Sequence, residues 1–410
     1  MNKNIKLAVA GAVLAMSATA ANAGIIIPAG EWTLDVNGNV NAFANWTKTD
    51  HAAVITGGLA KPKDAVGEDQ TQGINTCLLP AWLGFTGTTR QNDTDVSFTI
   101  SMQPNVSSNG AAGDGAAPAT LFRQANLTFG DKSWGSVKLG KDIGIFASDA
   151  ILNDMTLLGV GGGALNSGGS TTLGGIGSGY IYAAWKGQVA YTTPNFNGFQ
   201  ATVGVTNPNQ GVSGSVDNNG AANTNTADLF QDRFGLEGKA SYSFAADAFS
   251  GKIWVGGASY KVKTATTASD AVKEYTATAA DIGANINAGN VGLTGYYYVG
   301  EGAGTTFMLG NGYDKTKGKR DSDGGYIQAT YILPTKTKLG VAFGRSNLDM
   351  ASGEAASLLV DKNERTTVGL YHPLTKHLNL VGEWNQIESS SHSGLKNEST
   401  TGSLGAILFF

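Results

Sequence analysis

The sequence has 410 residues, 58 of them Gly and 9 Pro, with 15% charged residues, one Cys and a net charge of −4. Collagen is excluded because no Gly-X-Y period runs through it, charge-driven disorder because the net charge is small, and a basic nucleic-acid surface because acids outnumber bases. No apolar run reaches the roughly 18 residues of a membrane-spanning helix, so this glycine-rich chain favours β-structure.

Met1–Ala23 reads as a secretory signal. Lys3 and Lys6 form a positive start, Leu7–Met16 is an apolar run too short to span a bilayer, and Ala21-Asn22-Ala23 is a cleavage motif before Gly24. Cleavage removes two lysines and takes the net charge from −4 to −6. The domain expected to remain is 24–410. Cys77 has no partner in the chain, so disulfides do not staple the fold.

From Trp32 the chain alternates. Trp32, Leu34, Val36, Val40, Ala42, Ala44 and Trp46 share one parity, and Thr33, Asp35, Asn37, Asn39, Asn41 and Asn45 the other, with Phe43 the single exception. A strand of this length, apolar on one face and amide-rich on the other, with Trp at both ends, suits a tilted membrane crossing. The pattern returns at Val96–Met102, Phe199–Val205, Phe234–Phe244, Leu339–Phe343 and Leu404–Phe410, and about sixteen strands are expected.

Short turns at 88–93, 130–133, 194–198, 245–251, 287–290, 334–336 and 372–376 alternate with long polar stretches at 47–76, 103–119, 142–185, 207–231, 262–274, 301–322, 349–362 and 388–398. An up-and-down membrane barrel sorts its connections this way, tight on one rim and long on the other. The expected fold class is therefore all-β, a transmembrane antiparallel up-and-down barrel in the outer membrane.

The order of motifs resembles the Gram-negative general diffusion porins over nearly all of 24–410. Arg123–Gly130 with Trp134–Lys141 is similar to the paired strands before that family's constriction loop. Tyr191–Phe199 is similar to the turn after it, Arg365–Trp384 to the penultimate hairpin, and Phe410 to the terminal aromatic. The resemblance implies a sixteen-stranded homotrimer whose third long loop folds inward. It also implies contact with outer-membrane lipid and lipopolysaccharide, assembly through Phe410 by the barrel-assembly machinery, and passage of small hydrophilic solutes. It implies no cofactor and no nucleic acid.

Charge at a constriction bounded by low-dielectric walls sets what passes. Residues 142–185 hold Asp142, Asp149 and Asp154 and contain neither Lys nor Arg, while Lys138 and Lys141 come just before. If the loop folds inward, its acids are expected to face a basic pore wall of Lys138, Lys141, Arg123, Arg233 and Lys239. Arg123 shares parity with Ala125, Leu127 and Phe129, which aims it at lipid, where an Arg at mid-depth costs about 2–4 kcal/mol; it must sit near a rim or after an irregularity. Glu237, Asn379, Glu383 and Asn385 share lumen-facing parities. The net charge and the acidic loop lean toward mild cation preference.

Other chemistry is set aside. His51, His372, His377 and His392 have no Ser at a spacing that suggests a nucleophile pair. Gly174–Gly179 lacks the Lys of a phosphate loop, and Asp321-Ser322-Asp323-Gly324 lacks the distal Glu of a calcium loop. A β-solenoid adhesin needs a fixed repeat that is missing. A channel specific for a sugar or carboxylate is the alternative within transport, with Tyr296 and Tyr298 as a short aromatic run on one parity.

Overall fold

A computed structural model of the chain describes residues 24–51, 54–64, 66–104, 120–164, 171–207, 228–230, 233–265, 273–314 and 317–410. The signal expected at 1–23 lies outside them, as does most of the loops expected at 103–119 and 207–231.

Sixteen antiparallel strands close a barrel. They are β1 (Trp32–Thr49), β2 (Trp82–Gln91), β3 (Thr94–Pro104), β4 (Thr120–Asp131), β5 (Gly135–Ile143), β6 (Trp185–Thr192), β7 (Phe199–Thr206) and β8 (Gly235–Ala245), followed by β9 (Phe249–Ala265), β10 (Lys273–Ala288), β11 (Val291–Glu301), β12 (Asp321–Ile332), β13 (Lys338–Leu348), β14 (Val360–Pro373), β15 (Leu378–Ser391) and β16 (Lys396–Phe409). Each pairs with its neighbours, and β1 closes on β16 from Asn39↔Phe409 to Thr49↔Ser399, so every main strand has a partner on both sides.

The two-residue period decides which face is wet. On β1, Asn39, Asn41 and Asn45 are buried inside the barrel, whereas Val40 and Trp46 are exposed on the outer surface where lipid would lie. Phe43, the exception to the alternation, also points inward and belongs to the same buried apolar cluster as Ile407 and Phe409. Its cross-seam partner is Gly405, where a Cβ would run into the Phe43 ring.

One rim carries tight turns. Between β2 and β3 the chain reverses through Asn92 and Asp93, both at positive φ (48° and 58°), the geometry of a two-residue hairpin turn. On the opposite rim two expected loops are shorter than the sequence suggests. β9 and β10 pair out to Thr264↔Lys273, and β15 and β16 out to Ser390↔Lys396. The hydrogen-bond ladder continues there past the last clear alternation in the sequence.

The second stave is built from two pieces. Gln70–Asn75 pairs with the upper half of β1, from Lys48↔Gln70 to Phe43↔Asn75, and β2 pairs with the lower half, from Asn39↔Trp82 to Thr33↔Thr88. Between them residues 76–81 leave the wall and enter the lumen, where Cys77, Leu78 and Leu79 are buried. Asn39 and Asn41 donate to the carbonyls of Pro80 and Leu79, both at 3.0 Å, and Asn41 accepts from the Cys77 amide at 2.9 Å.

Candidate channel constriction

Between β5 and β6, residues 144–164 and 171–184 lie inside the barrel. They hold the short helix α1 (Ser148–Leu152), a 3-10 turn (Met155–Leu158) and a small two-stranded sheet of Gly162–Ala164 with Thr172–Gly174. A backbone crossing the lumen must have its polar groups satisfied, and wall side chains supply the partners.

Glu237 on β8 is buried and accepts from the amides of Ile145 (2.7 Å) and Phe146 (3.1 Å) at the loop entrance. Its charge is met by Lys186 at 2.7 Å, and Tyr260 donates to the same carboxylate. Farther along, the Tyr326 hydroxyl donates to the Ala150 carbonyl at 2.8 Å, while Gln328 accepts from the Met155 amide (2.7 Å) and donates to the Asn153 carbonyl (3.1 Å). Glu383 on β15 then accepts from the amides of Val160 (2.7 Å) and Gly161 (2.8 Å), and Tyr371 donates to its other oxygen at 2.6 Å. On the far side, the amides of Leu78 and Leu79 donate to the carbonyls of Gly159 and Leu157. The loop is thus fastened from β8 round to β15, and to the inturned 76–81 segment.

The loop acids take part in this fastening. Asp149 pairs with Lys239 at 2.9 Å and with Lys252. Burial alone would raise its pKa, but the two ammonium groups outweigh it and hold the carboxyl below its ordinary value. Asp154 caps the 3-10 turn through the Thr156 amide (2.9 Å) and accepts from the Gly175 amide and the Tyr180 hydroxyl, each at 2.9 Å; the buried Arg365 guanidinium lies 3.7 Å away. Both acids therefore meet basic wall residues in direct contact, with no open gap between them. Asp142 belongs to β5 itself, where it pairs with Lys138 of the same strand and accepts from Gln124 at 3.1 Å.

The remaining expected wall residues divide. Arg123 faces inward because the β3–β4 register shifts between Ser101 and Met102: Ser101 pairs with Gln124 and Met102 with Phe122, leaving Arg123 on the bulge. Its amide donates to the lumen-facing Gln103 at 3.1 Å, and its guanidinium lies 5.9 Å from the Trp185 ring. Lys141 does not join the pore wall. It shares the face of Leu139 and Ala125, on the outside, and its ammonium reaches the Phe122 carbonyl at 2.9 Å. Arg233 is exposed in the approach to β8. Lys239 lies inside with Asp149 and also donates to Ser148 at 2.8 Å. Tyr296 and Tyr298 do not form an open aromatic track. Tyr296 and Tyr326 are buried against Tyr180 of the loop and Tyr298 lies beside Tyr296, with ring centroids 5.8–6.5 Å apart.

Between the loop and the wall of β3–β5 lies a cavity of about 210 Å³. The loop side presents Ile151, Leu152, Leu157, Leu173 and Ile176, and the wall side Gln103, Arg123, Gln124 and Asp142. The loop side of the cavity is mostly apolar, and its polar and charged side chains come chiefly from the wall. The sequence marked the lumen parity of Glu237 and Glu383 but not their partners, which are 92 and 223 residues distant.

The sequence profile of a family described as Gram-negative porin matches residues 8–392. No curated protein matches the sequence. Among solved structures, the chain is similar to the outer-membrane channel DcaP of Acinetobacter baumannii, at 16% identity and TM-score 0.67, covering 95% of this chain and 100% of that one. It is similar to OmpF of Salmonella typhi in complex with daunomycin, at 15% identity and TM-score 0.58, covering 94% and 100%. It is also similar to the trimer form of OmpT of Vibrio cholerae, at 12% identity and TM-score 0.55, covering 92% and 99%.

Proposed function

Because the chain belongs to the Gram-negative porin family and is an outer-membrane channel for passive diffusion, we propose that the gap between its inward loop and β3–β5 is the constriction, and that Arg123 sets its ion preference. The observation carrying this reading is the pairing of the acids. Asp142, Asp149 and Asp154 each lie against a basic side chain, whereas the Arg123 guanidinium, among the described residues, makes no ion pair and donates no hydrogen bond. An unpaired cation beside low-dielectric walls favours anions locally. The lean toward cations drawn from the acidic loop counts acids that each lie against a base. Lys138, held by Asp142, contributes less field than its position alone implies.

The finer features keep the form the sequence suggests: a cleaved signal at 1–23, a homotrimer, lipid and lipopolysaccharide around the belt, and assembly through Phe410. The family and the fold point to a channel, and we assign the chain no catalysis. Reversal potentials in a salt gradient test the selectivity reading. Wild type is expected to show an anion lean that Arg123→Ala moves toward cations; a cation-selective wild type indifferent to Arg123→Ala overturns it.

A further inference from the structure

We propose that the cavity beside Arg123 is a binding subsite for small amphipathic monocarboxylates, with a compact aromatic or branched apolar body. The proposal rests on the reading that this gap is the constriction, and it adds a substrate class to it.

The polar end has one charged group to offer. Gln103 accepts from the Arg123 amide and donates to Ser101 at 3.0 Å, and Gln124 donates to Asp142. Both amides thus have committed atoms. Asp142 is the carboxylate on the lining, and it is occupied by Lys138, by Gln124 and by the Ile143 amide at 2.9 Å. It therefore does not compete strongly for the Arg123 guanidinium. Among the described residues that guanidinium makes no ion pair and donates no hydrogen bond, and it lies over the Trp185 ring, leaving its forked donors for an incoming carboxylate, which it matches in a two-point contact.

The rest of the lining asks for an apolar body. Leu79, Trp82, Ile151, Leu157, Leu173 and Phe307 face the space. An apolar cavity of about 150 Å³ accommodates a benzene ring, so about 210 Å³ has room for a ring with its carboxylate. A sugar of equal size would bury hydroxyls against these side chains without partners. A second charge on the ligand would be left in the apolar half, and a cation would meet Arg123.

Two measurements on the intact channel test this. Benzoate binding is followed by intrinsic tryptophan fluorescence in detergent, since Trp82 and Trp185 line the cavity, and by block of single-channel current in a planar bilayer. Acetate supplies the charge without the ring, benzyl alcohol the ring without the charge, and benzylammonium the opposite charge. Benzoate is expected to saturate both signals, with each control at least about tenfold weaker. Arg123→Gln should weaken benzoate at least about tenfold, and Leu152→Gln should weaken benzoate while leaving acetate unchanged; heat-modifiable gel migration shows that each variant barrel is folded. Fluorescence saturation without current block would leave the subsite standing and remove the constriction reading. Arg123-dependent selectivity with benzoate no stronger than acetate would do the reverse, and benzoate binding that ignores Arg123→Gln overturns the proposal.

Discussion

Replacing Glu383 by Ala should release the second half of the inward loop while leaving the barrel closed. Its carboxylate accepts from Val160 and Gly161 at 2.7 and 2.8 Å, and both amides are buried. Hydrogen bonds to a charged acceptor contribute about 1.5–3 kcal/mol each. The pair is then worth about 3–6 kcal/mol, of which water entering the lumen recovers part. A net loss of about 2–3 kcal/mol remains, a fall of tens- to a hundred-fold in the anchored-to-released ratio. Single-channel recording should show a steady wild-type conductance and, in Glu383→Ala, frequent excursions to a larger one. Glu383→Gln keeps a carbonyl oxygen for both amides and should remain close to wild type. The reasoning fails if Glu383→Ala is as quiet as wild type and passes no larger solutes.

Other outcomes follow from the same contacts. Asp149 has its pKa depressed, so the stability it lends the loop is present above the ordinary aspartate value of about 3.9 and is lost as pH falls through its lower folded value. Current noise should therefore rise only in strong acid, and Asp149→Asn should show that noise already at neutral pH. Lys141→Ala should leave the reversal potential unchanged, because Lys141 sits on the outer face; a shift comparable to that of Arg123→Ala would contradict the assignment. Burial pushes the Cys77 thiol up, so maleimide labelling should be negligible in the folded channel at neutral pH and complete after heat unfolding.

Much of the barrel was readable from residues because a strand between lipid and water must alternate, and the short turns mark one rim. What escaped that reading has local causes. The bulge at Arg123 reverses which side a residue faces, and parity alone aims the side chain at lipid. Lys141 is the opposite case: its odd separation from Lys138 places the two on different faces. The split second stave is hidden because residues 76–81 are as apolar as a wall segment while burying themselves inside. The acids of the loop could be seen, but not their partners: Asp149 meets Lys252 across 103 residues, and only the closed barrel makes them neighbours.

The inturned 76–81 segment and Glu383 lie near opposite ends of the chain, and both hold residues 157–161. They become neighbours across β15, β16 and β1 only when the β1–β16 seam is paired. The final position of the loop thus depends on the last strand pairing that the topology requires. An intermediate with every hairpin formed but the seam unzipped would hold residues 157–161 from one side only, and their final placement would report that the two ends of the polypeptide had met.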